Sequence, residues 1–508
     1  MTIVDDQEID VEVEERFAAL QQRLEPLWAS LRTFNAQEQT IVAVPSLTID
    51  EERSPAVIQA YEERFLFLLL LLRQPGARLI YVTSQPIQPT IVDYYLGLLP
   101  GVIASHARPR LHLVSPQDAE PRPLTLKLLA RPRLLAHLRD LIPDPERAHL
   151  IPYTTTEAER RLAVALGIPM YGADPRFFDL GTKTGGRRLF AEEGVAHPLG
   201  IEDLSSLEDL VAAVQRMRRS RPDLEEVLVK LNEGVSGEGN AQVDLRGAGP
   251  ADADVEARLR SMRFEVDGLE LDRYLASLAK RGGVVEERIT GMDFRSPSVQ
   301  MRVTPLRELE VLSTHDQLLG GPSGQSYLGC RFPADPAYAT LITDEAVKVG
   351  RRLAREGVLG RFAVDFVTVR RADGTWAAFA IELNLRKGGT THPYLTLQFL
   401  TDGRYEPDSG RFRNPSGQEK AFVASDHVEL PALRGLTPDD LFDVIVRHGL
   451  HFDHGRQRGV VFHMMSAMSH CGRVGLTAVD DSPELADALY HRAVAVLAEE
   501  ADGSYARV

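Results

Sequence analysis

Arg361-Phe-Ala-Val-Asp365-Phe-Val and Ala380-Ile-Glu382-Leu-Asn384-Leu-Arg386-Lys387-Gly388-Gly389 are two apolar stretches studded with acids, an amide and cations. Arg370-Arg-Ala-Asp-Gly374 lies between them and reads as a turn, so the pair is expected to form a β-hairpin. Side chains alternate along a strand, which puts Glu382, Asn384 and Arg386 on one face. A hairpin of this length sets Asp365 beside them. Carboxylates flanked by apolar strand residues are costly to bury without a counter-ion. Converging carboxylate and amide oxygens suit Mg²⁺, a hard cation that takes oxygen ligands and keeps its remaining positions for water and phosphate. A half-exposed strand end is the plainer reading of the same residues.

Three other motifs lie upstream. Val227-Leu-Val-Lys230-Leu-Asn-Glu-Gly234-Val-Ser236-Gly237-Glu-Gly239 is an apolar strand that delivers a lysine into a glycine-rich loop. Such a loop lets backbone N–H groups approach a phosphate, and the lysine adds a positive charge. The lysine precedes the glycines, so this is not the P-loop order, and a surface hairpin explains it as well. Lys183-Thr-Gly-Gly-Arg187-Arg188 opens a helix that closes near Gly194, and by itself Lys183 is a surface lysine. Val284-Val-Glu286-Glu287-Arg288-Ile289-Thr-Gly291-Met-Asp293 is a strand ending in two acids, then a turn and a third acid. It reads either as a solvated face or as a hinge whose backbone meets a base edge while an acid holds ribose hydroxyls.

The chain has 508 residues, enough for two to four domains. Its 58 basic and 73 acidic residues leave a net charge of −15, which argues against a nucleic-acid or anionic-membrane partner. Cys330 and Cys471 have neither zinc-site nor disulfide spacing and read as buried thiols. The N-terminus is acidic, unlike a signal peptide, and the longest apolar run, Phe65 to Leu72, is too short to span a bilayer. A cytoplasmic location is expected. Strands alternate with helices before residue 174, as in a parallel α/β sheet. Helices are expected at about 10–34, 55–72, 91–99 and 124–141. The turns Pro45-Ser46 and Thr83-Ser84 fall at strand ends, where such sheets carry ligand loops, although simple turns fit equally. Mixed antiparallel strands and helices follow to about 400. Asp402 to Gly417 reads as a boundary or long loop. The final stretch shows a helix after Thr437, a strand at Gly459–Met464 and a closing helix.

In order and spacing, the four motifs resemble the ATP-grasp superfamily of carboxylate–amine ligases over about Asp174 to Leu400. Val-Pro45-Ser46-Leu, Tyr81-Val-Thr83-Ser84, Asp93-Tyr94-Tyr95, Gly388-Gly-Thr-Thr-His392-Pro393 and Gly459-Val-Val-Phe-His463-Met resemble the pheganomycin-type peptide ligases within it. The resemblance implies a multidomain α/β and α+β chain. Its parts would be a pre-ATP-grasp α/β domain at 1–173, a two-lobed ATP-grasp domain at 174–400 and a C-terminal extension at 401–508. It also implies that Lys183, Lys230, Gly234, Ser236, Gly237 and Gly239 hold the ATP phosphates. Glu286, Glu287, Ile289 and Asp293 would meet adenine and ribose, and Asp365, Glu382 and Asn384 would hold Mg²⁺, with two ions expected. Arg386 and Lys230 would be catalytic. Arg295, Ser298, His315, Lys387 and His392 are candidate contacts to a carboxylate substrate or to an amine, itself an amino acid or peptide. His392 and His463 could serve in proton transfer or as hydrogen-bonded structural histidines. Superfamily members are often dimeric, and a homodimer is compatible with this chain.

The implied reaction forms an amide through an acyl phosphate, releasing ADP and phosphate. A phosphotransferase on the same scaffold, or a non-catalytic nucleotide-binding protein, stays open as an alternative. Replacing Glu382 with Ala is expected to abolish ATP turnover while leaving the circular dichroism spectrum unchanged. Full activity in that variant would remove Glu382 from the metal set.

Overall fold

The computed structural model describes residues 11–33, 38–47, 54–234, 237, 239–266, 268–321 and 324–503. Four strands, β1 (Gln39–Val44), β2 (Ala77–Val82), β3 (Leu111–Val114) and β4 (Ala148–Pro152), form a parallel sheet in the order β3-β2-β1-β4. Ile41, Val42, Ala43 and Val44 are all buried, because helices cover both faces of a parallel sheet. The expected helix over 55–72 is an α-helix at Pro55–Glu63 that tightens into a 3₁₀ segment, Arg64–Arg73. The stretch at 124–141 is two helices, Leu124–Leu129 and Pro132–Asp140. Pro132 has no N–H to continue the first and starts the second instead. Two helices, Val11–Gln21 and Leu24–Thr33, also replace the single N-terminal one.

The turns at the carboxyl ends of β1 and β2 are filled from within the protein. Ser84 Oγ donates to Glu62 (2.6 Å) and accepts from Lys127 Nζ (2.9 Å), while the Thr125 N–H donates to Ser46 Oγ (3.3 Å). These turns are packed structure, so the ligand-loop reading does not hold for them.

The middle of the chain supplies two antiparallel sheets. The smaller, in the order β5-β9-β6-β7-β8, contains β5 (Gly200–Leu204), β6 (Glu226–Leu231), β7 (Asn240–Asp244), β8 (Arg263–Phe264) and β9 (Gly283–Glu287). The larger begins with β10 (Met292–Arg295), β11 (Pro297–Val303), β12 (Leu309–Gly320), β13 (Ser326–Phe332), β14 (Gly360–Arg370) and β15 (Trp376–Asn384). Residues 288–291 run directly from β9 to β10 and so link the two lobes.

The segment 402–417 is not a plain loop. It carries a small hairpin of β16 (Arg404–Glu406) and β17 (Arg411–Arg413). Three further strands, β18 (Ala421–Glu429), β19 (Gly459–His463) and β20 (Arg473–Asp480), continue the larger sheet, which runs β10-β14-β11-β12-β13-β18-β20-β19 with β15 also paired to β14. β18 and β20 had no counterpart in the sequence reading. One hydrophobic core joins Leu79 and Phe65 from the N-terminal part to Leu397 of the Thr391–Thr401 helix and to Phe422 and Leu476 of the last strands. Among the described residues no helix is long and apolar enough to cross a membrane. Both cysteines are free thiols; Cys330 is buried and Cys471 half-buried.

Gly329 marks the join between β13 and β18, where a Cβ would lie 2.2 Å from Ala424 O. Gly329→Ala therefore has to part the two strands. Overpacking of this kind typically costs about 1–3 kcal/mol, and a fall in the urea midpoint of the purified variant is the expected readout.

Candidate functional site

Strand register builds the acidic end of the site. Ser298 on β11 faces Asp365 on β14, and Asp365 faces Glu382 on β15, so the three form a row across adjacent strands. Asn384 lies one diagonal step away, and its Nδ2 donates to Asp365 Oδ2 (3.0 Å). The hairpin read from the sequence therefore brings Asp365, Glu382 and Asn384 together. Burial, together with repulsion from Glu382, pushes the Asp365 carboxyl up to about 6. Burial also works against the Glu382 anion, but the Lys183 ammonium and Arg386 outweigh it and hold that carboxyl below its usual range.

Lys183 opens the Lys183–Glu192 helix and is ion-paired with Glu382. Thr182 caps this helix, its hydroxyl accepting from the Gly185 N–H (3.0 Å). Gly185 permits the approach, since a Cβ there would sit 1.8 Å from Asp179 O. From the smaller lobe, Lys230 on β6 is ion-paired with Glu286 on β9, one diagonal step across the antiparallel pair. Arg187 also pairs with Glu286, at 3.0 Å, and lies one helical turn after Lys183. Glu286 and Lys230 are only 2% and 5% exposed, so each charge depends on the other.

The remaining sequence candidates are distributed as follows. Glu287 alternates to the opposite face of β9 from Glu286. There it accepts from the Leu199 N–H (2.8 Å) and pairs with Arg221, so its side chain is used within the small lobe. Ile289 packs with Val367, Val369 and Ala377 on the larger sheet. Asp293 is exposed, has φ of 51°, and pairs with Arg370 at 3.4 Å. Gly234, Gly237 and Gly239 follow β6, whereas Ser236 lies outside the described residues. Gly237 has φ of +86°, and a Cβ on it would meet Gln325 O at 3.1 Å. Gly237 thus lies against Gln325 of the other lobe, and nearby Asn240 Nδ2 donates to Gln325 Oε1 (2.9 Å).

Arg386 follows β15 and donates to Lys387 O (3.2 Å). Lys387 is buried and its Nζ donates to Pro152 O of the N-terminal sheet (2.5 Å). Burial, reinforced by Arg361, pushes its ammonium down to about 7. Arg295 is exposed on β10. Ser298 is buried in the acidic row. His315 is 0% exposed, hydrogen-bonds Ser313 (2.8 Å), and has Phe332, Tyr394 and Phe422 around it. Burial drives its pKa down to about 3. It is a core histidine, and the expectation of a substrate contact is corrected by this burial. His392 is also buried and contacts His463.

Two contributors escaped the sequence reading. Asn232 accepts from the Thr184 N–H at Oδ1 (3.1 Å), its backbone carbonyl accepts from the Lys183 N–H (3.1 Å), and its Nδ2 donates to Arg281 O (3.1 Å). It ties the glycine loop to the start of the lysine helix. Its place two residues after Lys230 was the available signal. Arg187 was legible only as the next residue on the Lys183 face.

Three family models match separate stretches of the chain: a pre ATP-grasp domain over residues 68–168, an IQCH-like ATP-grasp over 269–407 and a PGM1 C-terminal domain over 440–493. The L-propargylglycine–L-glutamate ligase of Streptantibioticus cattleyicolor is 30% identical over 474 residues, covering 91% of this chain and 92% of that protein. IQ motif-containing protein H of Danio rerio is 25% identical over 395 residues, which is 68% of this chain but 37% of that protein. Among solved structures, a biotin carboxylase complex from Campylobacter jejuni has a TM-score of 0.53 at 11% identity, covering 92% of this chain and 96% of that one. N5-carboxyaminoimidazole ribonucleotide synthetase from Thermus thermophilus gives 0.52 at 14% identity, with 90% and 98% covered. These two likenesses concern the fold.

The raised Asp365 carboxyl has a measurable consequence. Its folded value, about 6, lies above the ordinary aspartate value of 3.8. The stability it contributes is therefore full below the lower value and lost as pH rises through the upper one. Asp365→Asn, neutral throughout, lacks that loss. The Tm of this variant relative to the parent is expected to climb as pH is raised across this window without divalent cations. A constant difference would contradict the assignment.

Proposed function

The chain belongs to the ATP-grasp ligases, the family of the L-propargylglycine–L-glutamate ligase, and from that footing we propose that it uses ATP to join an amino-acid or peptide carboxylate to an amine. One observation carries this reading. Two lysines from separate elements each sit on a carboxylate, Lys183 on the half-buried Glu382 and Lys230 on the buried Glu286, and the Glu382 pair adjoins Asp365. These lysines are poised to exchange carboxylate for phosphate oxygens.

The acidic row fits Mg²⁺. Asp365 and Glu382 repel each other, which helps to raise Asp365, and a divalent cation between them relieves that conflict. Asn384 uses its Nδ2 on Asp365, which leaves its carbonyl oxygen available as a ligand. We assign Asp365, Glu382 and Asn384 as the residues that would hold two ions. When bound, such ions neutralise phosphate oxygens and orient the transferring group.

In the proposed reaction Lys183, Lys230 and the backbone of Gly234, Gly237 and Gly239 hold the ATP phosphates. Glu286 and Ile289 border the adenine side and Asp293 the ribose. A substrate carboxylate oxygen attacks the γ-phosphorus, the bond to the bridging oxygen breaks, and ADP leaves. The amine then attacks the acyl phosphate carbonyl. Phosphate departs, the amine loses a proton, and the amide remains. Arg386, two residues beyond Asn384, is proposed to stabilise the oxyanion that develops in this second step. Arg295, exposed on β10, is proposed to attract a substrate carboxylate, whereas Lys387 is engaged with Pro152 O. The glycine-rich stretch, whose Gly237 lies against Gln325 O, is proposed to shield the acyl phosphate from water. The substrate class follows the relative whose name joins two amino acids.

The test is product analysis with Mg·ATP, pooled amino acids including L-glutamate, and hydroxylamine. ADP with an amino-acid hydroxamate is expected. Lys230→Met should cut both by on the order of 10²–10³-fold, the loss typical when one preorganised charge donor is removed. AMP in place of ADP would overturn the acyl phosphate. ADP without hydroxamate, alongside a stable phosphorylated product, would instead identify a phosphotransferase.

A further inference from the structure

A second polar cluster lies outside the nucleotide site, where the three parts of the chain meet. His392 stands in the first turn of the Thr391–Thr401 helix, Asp426 on β18 and His463 at the end of β19. All three are 3% exposed. His392 Nε2 and His463 Nε2 are 3.0 Å apart. Asp426 Oδ1 is 2.7 Å from His463 Nε2 and 3.3 Å from His392 Nε2. Three potential donor atoms therefore converge on one point.

Hydrogen bonding alone serves this arrangement poorly. A proton relay through an imidazole uses its two nitrogens on different partners. Here the same Nε2 of His463 faces both Asp426 and His392, so no path runs through the ring. If both Nε2 atoms carry protons, the two N–H groups crowd against each other toward one carboxylate oxygen. If one is bare, the other ring's single N–H is shared between that lone pair and the carboxylate oxygen. A cation at the centre satisfies all three atoms together.

We propose that His392, Asp426 and His463 bind one divalent transition-metal ion, with Zn²⁺ the best match. Two imidazoles and a carboxylate suit Zn²⁺, whereas Mg²⁺ and Ca²⁺ prefer oxygen donors throughout. A tetrahedral ion at about 2.0–2.1 Å from its ligands spaces them about 3.3 Å apart, so the His463–Asp426 edge opens from 2.7 Å by about 0.6 Å and the His392–His463 edge from 3.0 Å by about 0.3 Å. Its surroundings support the fit. Arg64 Nη1 donates to Asp426 Oδ2 at 2.6 Å, which fixes the carboxylate with Oδ1 turned to the histidines. Gly475 lies opposite His463 in register, and a Cβ there would come within 2.1 Å of His463 Nε2, so the glycine leaves room for the imidazole to lie in this position. The Asp426 charge is already balanced by Arg64. The remaining coordination position therefore takes water or an anion such as a carboxylate. An ion here fastens the Thr391–Thr401 helix, close in sequence to Arg386, to the C-terminal strands.

The full-length protein, purified without a metal-affinity tag, is assayed for bound metal by mass spectrometry. The chelated protein is then reloaded with Co²⁺. One equivalent of Zn²⁺ per chain and a visible Co²⁺ absorption band are expected. His392→Gln should weaken Zn²⁺ affinity by at least the 10–100-fold, on the order of magnitude, that losing even an outer-shell partner costs. Folded parent protein that holds no transition metal and gives no Co²⁺ band would overturn the proposal, and this measurement does not depend on the variant folding. Metal retained equally by His392→Gln, or lost with Glu382→Gln instead, would overturn it too, the latter placing the ion at the nucleotide site.

Discussion

Buried charge that must be paired is the constraint on which this structure turns. Lys230, Arg187 and Glu286 are almost without solvent, and a lone charge there would cost several kcal/mol. Each pairing links elements distant in sequence: β6 to β9, the Lys183 helix to β9, and the same helix to β15. The charges therefore hold the helix at the junction of the two sheets. They also prepare the site for an anion. In the reaction we propose, phosphate oxygens entering beside Lys183 and Lys230 would replace the carboxylates as partners, and the freed Glu382 would turn to cations next to Asp365. Charge is exchanged without any group being left bare, which keeps the electrostatic cost of binding low.

A second constraint is the continuity of the large sheet. β18 adds to β13, and β20 and β19 follow, so the last hundred residues finish a sheet begun by the ligase lobe. An edge strand with unpaired N–H and C=O groups is covered in this way. The core beneath is shared with the N-terminal sheet, and the buried Arg64–Asp426 pair crosses the same junction. Lys387, donating to Pro152 O, carries the connection back toward Arg386. The C-terminal strands and the end of β15 are thus joined by a continuous run of packed contacts.

Much of the acidic site is legible in the sequence. Alternation along β15 set Glu382 and Asn384 on one face, and the turn at 370–374 set the hairpin that brings Asp365 opposite Glu382. The helix start at Lys183 was visible from the lysine and the glycines that follow it. Other readings failed for identifiable reasons. His315 sits in a polar-looking run, Ser313-Thr-His315-Asp316, yet aromatic rings from β13, β18 and the Thr391–Thr401 helix enclose it. Glu286 and Glu287 look equivalent as neighbours, but the pleat sends them to opposite faces. Thr83-Ser84 has the place of a ligand loop, and only the fold reveals Glu62 and Lys127 filling it.

The sequence by itself determined the local periodicities, the acid–amide hairpin, the two lysines and the order of motifs that marks the family. Those features depend on backbone alternation and helical repeat, which act over a few residues. The tertiary structure alone decided which acid each lysine meets, how Asn232 locks the loop to the helix, and that β18, β19 and β20 complete the ligase sheet. It also decided that His392, Asp426 and His463 share one point. Such pairings join residues separated by tens to hundreds of positions, and long-range packing and register, absent from any local pattern, select them.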